Sequence, residues 1–423
     1  MKTGPPHVAM LATPGIGHVI PLAELAKRLA SRPGATATLI TFASTASATQ
    51  RAFLASLPPS VASLPLPPVD VSDLPHDAAI ETLMSEECAR SLPALTGILS
   101  ELRESTRLVV FVTDSCLFTP INLHAVSLLL HLPELAASVA GEFRDLAEPV
   151  RLSGCVPIPG PDIVSPLQDR SNPSYMVMVH LAMRHREADA ILVNSFDAVE
   201  PEVAKVLRQP EPGRRRPPVY PIGPLIVQQS NGSTTNTVAN GGVPPHSLAP
   251  RAACLEWLDH PPARSVIFVS FGSGGAIPKE EMHELALGLE LSRQRFLWVV
   301  RSPSDEGTLS DNYYDAESKK DPFVYLPEGF PERTKDVGLQ SPGAVVGTAD
   351  TESLVHGVPM VAWPLFAEQR QNAVMLAEGA GAANRRYAVA ELQKAAAEGL
   401  REGGAATMAL DEVVQKWEAD AAN

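Results

Sequence analysis

Apolar and polar positions along this chain fall into blocks whose period changes repeatedly. HVAMLA is a short continuous apolar run, TPGIGH is a Gly/Pro turn, and VIPLAELAKRLASR places apolar residues at helical spacing. That block predicts a buried strand, a turn and an amphipathic helix. GATATLITFA predicts a second strand, and RLVVFVTD (107–114) and ADAILVNSF predict two more. Fully apolar short strands alternating with helices imply a parallel sheet covered on both faces. The pattern lapses at 227–250, where VQQSNGSTTNTVANGGVPPHSLAP offers almost nothing to bury and reads as a linker or long surface loop. It then restarts. SVIFVSFGSGG reads as strand and Gly loop, KEEMHELALGLELSRQ as helix, and RFLWVVR as strand. VPMVAWPL reads as a further strand, and EQRQNAVMLAEGAG as a helix ended by glycine. The expectation is two α/β halves joined by a flexible segment, without a short-period repeat.

Composition narrows what such a protein does. The chain has 423 residues, 45% hydrophobic and 19% charged, which suits two or three globular units. Its 48 acidic residues outnumber 34 basic ones, for a net charge of −14. That balance argues against nucleic acid as a partner and against a basic membrane-binding surface. No apolar run reaches the roughly 18 residues needed to cross a bilayer. The N-terminal apolar stretch is broken by Pro14 and Gly15 with no small-residue cleavage site, so no signal peptide is expected. Cys88, Cys116, Cys155 and Cys254 are far apart and read as free thiols, with no zinc motif. A cytoplasmic protein is the expectation. Asn231-Gly232-Ser233 fits a glycosylation sequon that such a protein would not use.

Three places carry candidate chemistry. His18 sits where the first strand turns into the first helix, the position at which open parallel sheets place ligands. A histidine there can act as general base if a carboxylate orients it. Asp114 ends the VVFVTD strand, and neighbouring parallel strands share an edge, so the two can pair. The plainer alternative is a capping histidine and an aspartate that only closes a strand. Gly15-x-Gly17 lacks a third glycine, since position 20 is Ile, which weakens a nicotinamide-dehydrogenase reading. FGSGG (271–275) follows a strand and precedes a helix, so Ser273 and Gly274 can present a hydroxyl and backbone N–H groups to a phosphate, or simply make a tight turn. Glu368 and Gln369 stand side by side at a strand end, where a carboxylate and an amide suit a polyhydroxyl ligand; on the residues alone, a helix first turn explains them more readily. His124 and His131 lie in an apolar segment and read as ordinary helix packing more readily than as pocket lining.

Together these blocks resemble one family. TPGIGHVIPLAELAKRL, the VTD strand end, SFGSGG, RFLWVVRSP, LPEGFPERTK and ESLVHGVPMVAWPLFAEQRQNAVML look like plant family 1 UDP-sugar-dependent glycosyltransferases. LHLPEL, EFRDLAEPVRLSGCVPIPG and QDRSNPSYMVMVHLAMRHREADAILVNSF are similar to its subgroup acting on small phenols, the hydroquinone and monolignol glucosyltransferases. The resemblance implies an α/β GT-B fold, two Rossmann-like domains facing across a cleft. Residues 1–226 would bind the acceptor, 227–250 would link, 251–405 would bind UDP-sugar, and a helix in 406–423 would pack back on the N-terminal domain. It implies inverting O-glucosylation of a small phenolic acceptor by a monomer that needs no metal and no cofactor beyond UDP-glucose as donor substrate. His18 would be the base and Asp114 its partner. Ser273 with Gly274 would meet the diphosphate, Glu352 the ribose, and Glu368 with Gln369 the sugar.

The chain also departs from that pattern. The family's block running from Trp-Ala-Pro-Gln to His-Cys-Gly-Trp-Asn-Ser is missing, and Gln340–Thr351 stands in its place. Further shortening follows Asp114 and Ala383. The lost tryptophan stacks on uracil, worth about 1–3 kcal/mol. The alternative expectation is therefore an impaired or inactive relative that at most binds small molecules.

Overall fold

A computed structural model describes residues 4–44, 46–75, 80–114, 122–209, 216–226, 249–272, 274–304, 321–342, 349–379 and 386–421. The chain divides into two compact units, one formed by Met1–Ile226 with Thr348–Asn423 and the other by Val227–Gly347. The expected halves ran to 226 and from 251 to 405, so the units differ in where 348–405 falls. The expected linker at 227–250 lies almost wholly outside the described residues.

The first unit begins with β1 (Pro6–Leu11), α1 (Ile16–Ala30), β2 (Thr36–Phe42), α2 (Ala48–Ala55), β3 (Val61–Leu66), α3 (Ile80–Ser105) and β4 (Arg107–Thr113). The four strands form one parallel sheet in the order β3-β2-β1-β4. Alternation along the strands feeds two layers. Val8, Met10, Ala37 and Leu39 pack with Val19, Leu22 and Ala26 of α1 on one face. Leu11, Ile40 and Phe42 pack with Leu95 of α3 on the other. The runs of β1 and β2 read as buried strands for this reason: neither face meets water, whereas β4 and β3 leave Phe111 and Leu64 partly exposed.

Next come α4 (Leu123–Ser138), α5 (Pro173–His185), β5 (Ile191–Val193), α6 (Pro201–Arg208) and β6 (Val219–Pro221), with β5 and β6 paired in parallel. Asn122 caps α4 and Asn172 caps α5, each accepting a backbone N–H with its side chain. A second core joins α4 and α5 through Leu128, Leu132, Tyr175 and Met178, with Phe143 buried beneath them.

The other unit holds α7 (Ala249–Leu258), β7 (Val266–Val269), α8 (Lys279–Ser292), β8 (Arg295–Val300), α9 (Phe330–Thr334) and β9 (Gly338–Pro342). Its parallel sheet has the order β7-β8-β9. Phe330 stacks on Phe296 at 6.0 Å between ring centroids and meets Trp298 edge-on at 6.1 Å. On β7, Ile267 and Phe268 are exposed, Phe268 by 51%.

The first unit resumes with α10 (Ala349–His356), α11 (Gln369–Val374), α12 (Arg386–Gly399) and α13 (Ala405–Asp420). The strand expected at 358–365 is absent: those residues carry no ladder partner among the described residues. An apolar run becomes a strand only beside a neighbour that takes its N–H and C=O groups. Here Val361 is 96% exposed, and Val358 and Trp363 stand out to solvent as well. Helix α13 sends Leu410 and Val413 into the same core as Val8 and Met10. Its Glu412 accepts the Tyr220 hydroxyl at 3.0 Å and Lys416 at 2.9 Å. No helix among the described residues is long and apolar enough to cross a membrane.

Candidate functional site

The end of β1 and the end of β4 lie next to each other because the two strands are parallel neighbours. The Asp114 N–H donates to the Leu11 carbonyl at 2.9 Å, which fixes the aspartate at that edge. Past Leu11 the chain turns at Gly15, whose φ of 113° is open to glycine and strained for other residues. Helix α1 starts at once, and His18 falls in its first turn, with its N–H on the Gly15 carbonyl at 3.1 Å. The His18 Nδ1 then lies 2.8 Å from Asp114 Oδ2, with the imidazole 19% and the carboxylate 1% exposed. An ionised carboxylate only accepts, so Nδ1 carries the proton and Nε2 is the basic nitrogen on the far side of the ring. The structure thus brings together the two residues that the sequence placed on one sheet edge.

A second histidine belongs to this neighbourhood and was not singled out in the sequence. His185 ends α5, its Nδ1 2.8 Å from the Leu181 carbonyl. Burial holds its pKa below the ordinary 6.5, against the opposing pull of that carbonyl and of the Asp114 charge. Nothing in the helical spacing of α5 marks it; only the tertiary fold sets it near Asp114.

The other sequence-predicted residues fall in three places. Ser273 lies outside the described residues. Gly274 is half-buried in the turn after β7. A β-carbon on the next residue, Gly275, would lie 2.0 Å from the Phe271 carbonyl oxygen, so that turn accepts only glycine there. The buried Arg301 donates to the Gly275 carbonyl at 3.1 Å. Beneath the turn is a cavity of about 10 Å³ between Phe271, Trp298 and Arg301. That is room for about one water, not a nucleotide. Glu352 is half-buried on α10. Glu368 immediately precedes α11 and Gln369 is its first residue, the Gln369 Oε1 accepting the Leu365 N–H at 2.7 Å.

His124 and His131 behave as packing residues. His124 Nδ1 lies 2.6 Å from Glu200 Oε1, and both side chains are buried. The same carboxylate accepts the Leu123 and His124 N–H groups and the Ser195 hydroxyl, so it closes the start of α4. His131 bonds the Ser127 carbonyl one turn back. Cys155 and Cys254 are free thiols, and burial pushes Cys155 up to about 11, an unreactive thiol at neutral pH.

Comparison with known proteins adds a family context to this geometry. The family described as UDP-glucoronosyl and UDP-glucosyl transferase matches residues 342–402. UDP-glycosyltransferase 72B3 of Arabidopsis thaliana is 41% identical over 480 residues, covering 98% of this chain and 96% of the relative. Hydroquinone glucosyltransferase of Rauvolfia serpentina is 39% identical over 479 residues, covering 98% of both. These alignments are longer than the chain's own 423 residues, so the relatives carry stretches with no counterpart here. Among solved structures, a Polygonum tinctorium UDP-glucosyltransferase capable of glucosylating indoxyl, in complex with 3,4-dichloroaniline, superposes with a TM-score of 0.83 at 36% identity, covering 99% of this chain and 100% of that one. Phytolacca americana UGT2 with UDP-2-fluoro-glucose and pterostilbene superposes at 0.80 with 34% identity, covering 98% and 100%.

Proposed function

Because the chain belongs to the plant family 1 UDP-glycosyltransferases, with their GT-B fold, we propose that it transfers glucose from UDP-glucose to the hydroxyl of a small phenolic acceptor. The observation that carries this reading is the His18–Asp114 pair, 2.8 Å apart with the carboxylate buried and the imidazole partly open. In the step, His18 Nε2 takes the acceptor's hydroxyl proton as the oxygen attacks the anomeric carbon. The bond from that carbon to the UDP oxygen breaks, UDP leaves with the bonding pair, and the configuration inverts. Asp114 holds the ring in the tautomer that exposes a basic Nε2 and balances the charge the ring gains. The proton passes to an organic base on the chain, so the step is written without a metal. Glu368 and Gln369 grip the sugar hydroxyls, Glu352 the ribose, and Ser273 with Gly274 the diphosphate. This reading keeps the enzyme a cytosolic monomer.

Incubation with UDP-glucose and hydroquinone, read by chromatography, tests it. A glucoside that forms with the native chain and falls about 10²- to 10⁴-fold in His18→Ala and Asp114→Asn is the expected result. Undiminished product in His18→Ala would remove the base assignment.

A second reading has its own support. The relatives align over 480 residues against 423 here, and the segment standing in for the uracil- and diphosphate-binding block is short. On this reading the acceptor side persists while donor binding is impaired. Calorimetric titration with UDP separates the two, since micromolar binding favours the active enzyme and no binding by the folded chain favours the impaired one.

A further inference from the structure

The residues that would grip the sugar are held in place from a distant part of the chain. Ser165 donates both its backbone N–H and its hydroxyl to the carbonyl oxygen of Ala367, each at 3.0 Å. Ala367 is one residue before Glu368 and has a φ of 53°, a left-handed conformation that a β-carbon disfavours. A residue stays there only when its surroundings fix it. Ser165 is well placed to do so. It opens the 3₁₀ turn Ser165–Leu167, and its neighbours Ile163, Val164 and Leu167 are buried in the core shared by α4 and α5. Two more attachments flank it. Asn122, the cap of α4, donates to Asn372 Oδ1 at 2.7 Å between buried side chains. Arg370 faces Asp162 across 3.8 Å. From the inside, Gln369 closes the same loop on the Leu365 N–H.

We propose that Ser165 is a positioning residue for the donor sugar: its paired hydrogen bonds hold Ala367 left-handed and thereby set where the Glu368 carboxylate and the Gln369 amide meet the hexose. The inference rests on the reading of Glu368 and Gln369 as the sugar-gripping pair. Loss of the hydroxyl leaves the Ala367 carbonyl one donor short. The strained φ then relaxes, and the 367–368 peptide turns the carboxylate away from its place. Discrimination among epimers depends on that placement, because an equatorial and an axial hydroxyl differ only in direction.

The test uses the full chain with Ser165→Ala and Ser165→Thr. Initial rates give KM for UDP-glucose, for UDP-galactose and for hydroquinone, and hydrogen exchange follows the Gln369 and Asn372 amides, which donate to the Phe366 and Glu368 carbonyls. Ser165→Ala should raise KM for UDP-glucose about five- to tenfold and narrow the preference for glucose over galactose, with hydroquinone KM within twofold. Ser165→Thr, which keeps the hydroxyl, should restore both. An unchanged UDP-glucose KM in Ser165→Ala, or equal loss in both variants, would overturn the proposal. If the native chain neither binds nor uses UDP-glucose, the sugar reading itself fails. Exchange then decides the clamp alone: faster exchange in Ser165→Ala than in Ser165→Thr supports it, and equal exchange ends it.

Discussion

Gln371 lies on α11 at 1% exposure, and neither its amide oxygen nor its amide nitrogen meets a hydrogen-bond partner. A buried polar group left unmade costs about 1–3 kcal/mol, whereas an unbranched apolar side chain of similar length fills the same space without that penalty. Gln371→Met should therefore raise stability by about 1–2 kcal/mol, measured as the urea midpoint at constant m-value. Glu87 presents the opposite problem, a carboxyl buried on α3 with the Ser44 hydroxyl donating to it. Burial raises its pKa from the ordinary 4.5 to about 7. The folded state thus keeps a proton that the unfolded chain gives up, so stability falls as pH climbs from about 4.5 to about 7 and levels off above. Glu87→Gln should flatten that slope and stabilise the protein at pH 8 by on the order of 2 kcal/mol, allowing for partial screening, in denaturation series at pH 5.5 and 8. Residues were legible in the sequence where topology alone decides their place. Asp114 directly follows β4 and His18 lies in the first turn of the helix that follows β1, and parallel neighbours share an edge, so their pairing follows from strand order. Glu87, His185 and Ser165 depend on which distant helix, turn or loop packs beside them, and no local pattern encodes this.

At the scale of elements, doubly buried strands and amphipathic helices were readily legible, because continuous apolar runs and helical spacing are local signals. VPMVAWPL has the same local signal as RFLWVVR, yet only the latter is a strand. The difference is a neighbour: β8 lies between β7 and β9, while 358–365 has no ladder partner among the described residues. In the other direction, β9 reads GLQSP and β3 reads VASLPL, sequences whose Gly, Ser and Pro hide the strand that the ladder imposes. Helix α13 shows how much one distant element contributes. Leu410 and Val413 fill the core against β1 and α1. Leu410→Ala should cost about 2–5 kcal/mol in global stability and should loosen amide protection in β1 and β2 as well as in α13.

At the scale of the whole molecule, composition and strand–helix alternation were enough for the α/β class, but not for the grouping of 348–405 with the first 226 residues. Sequence order suggested two successive halves with only a helix in 406–423 packing back on the first; Leu410 and Val413 of α13 do join the first core, and 348–405 groups with that unit as well. The exposed apolar strand β7 has a consequence at the same scale. A strand at the sheet edge among the described residues, with Ile267 and Phe268 facing solvent, is a template for pairing with another chain. Phe268→Lys should lower the aggregation rate on mild heating, followed by light scattering, with a change in unfolding free energy within about 0.5 kcal/mol as for other surface positions.

The dependence of the first core on α13 also sets a timetable for synthesis. Strand β1 leaves the ribosome long before Leu410 and Val413, which complete its packing. Between Ile226 and Leu410 the nascent chain must add the whole of the other unit. At about 5–20 residues per second, the apolar face of β1, β2 and α1 waits on the order of ten to forty seconds for its cover. Chains stopped before α13 would never receive it and would be released as clients for chaperones and proteases.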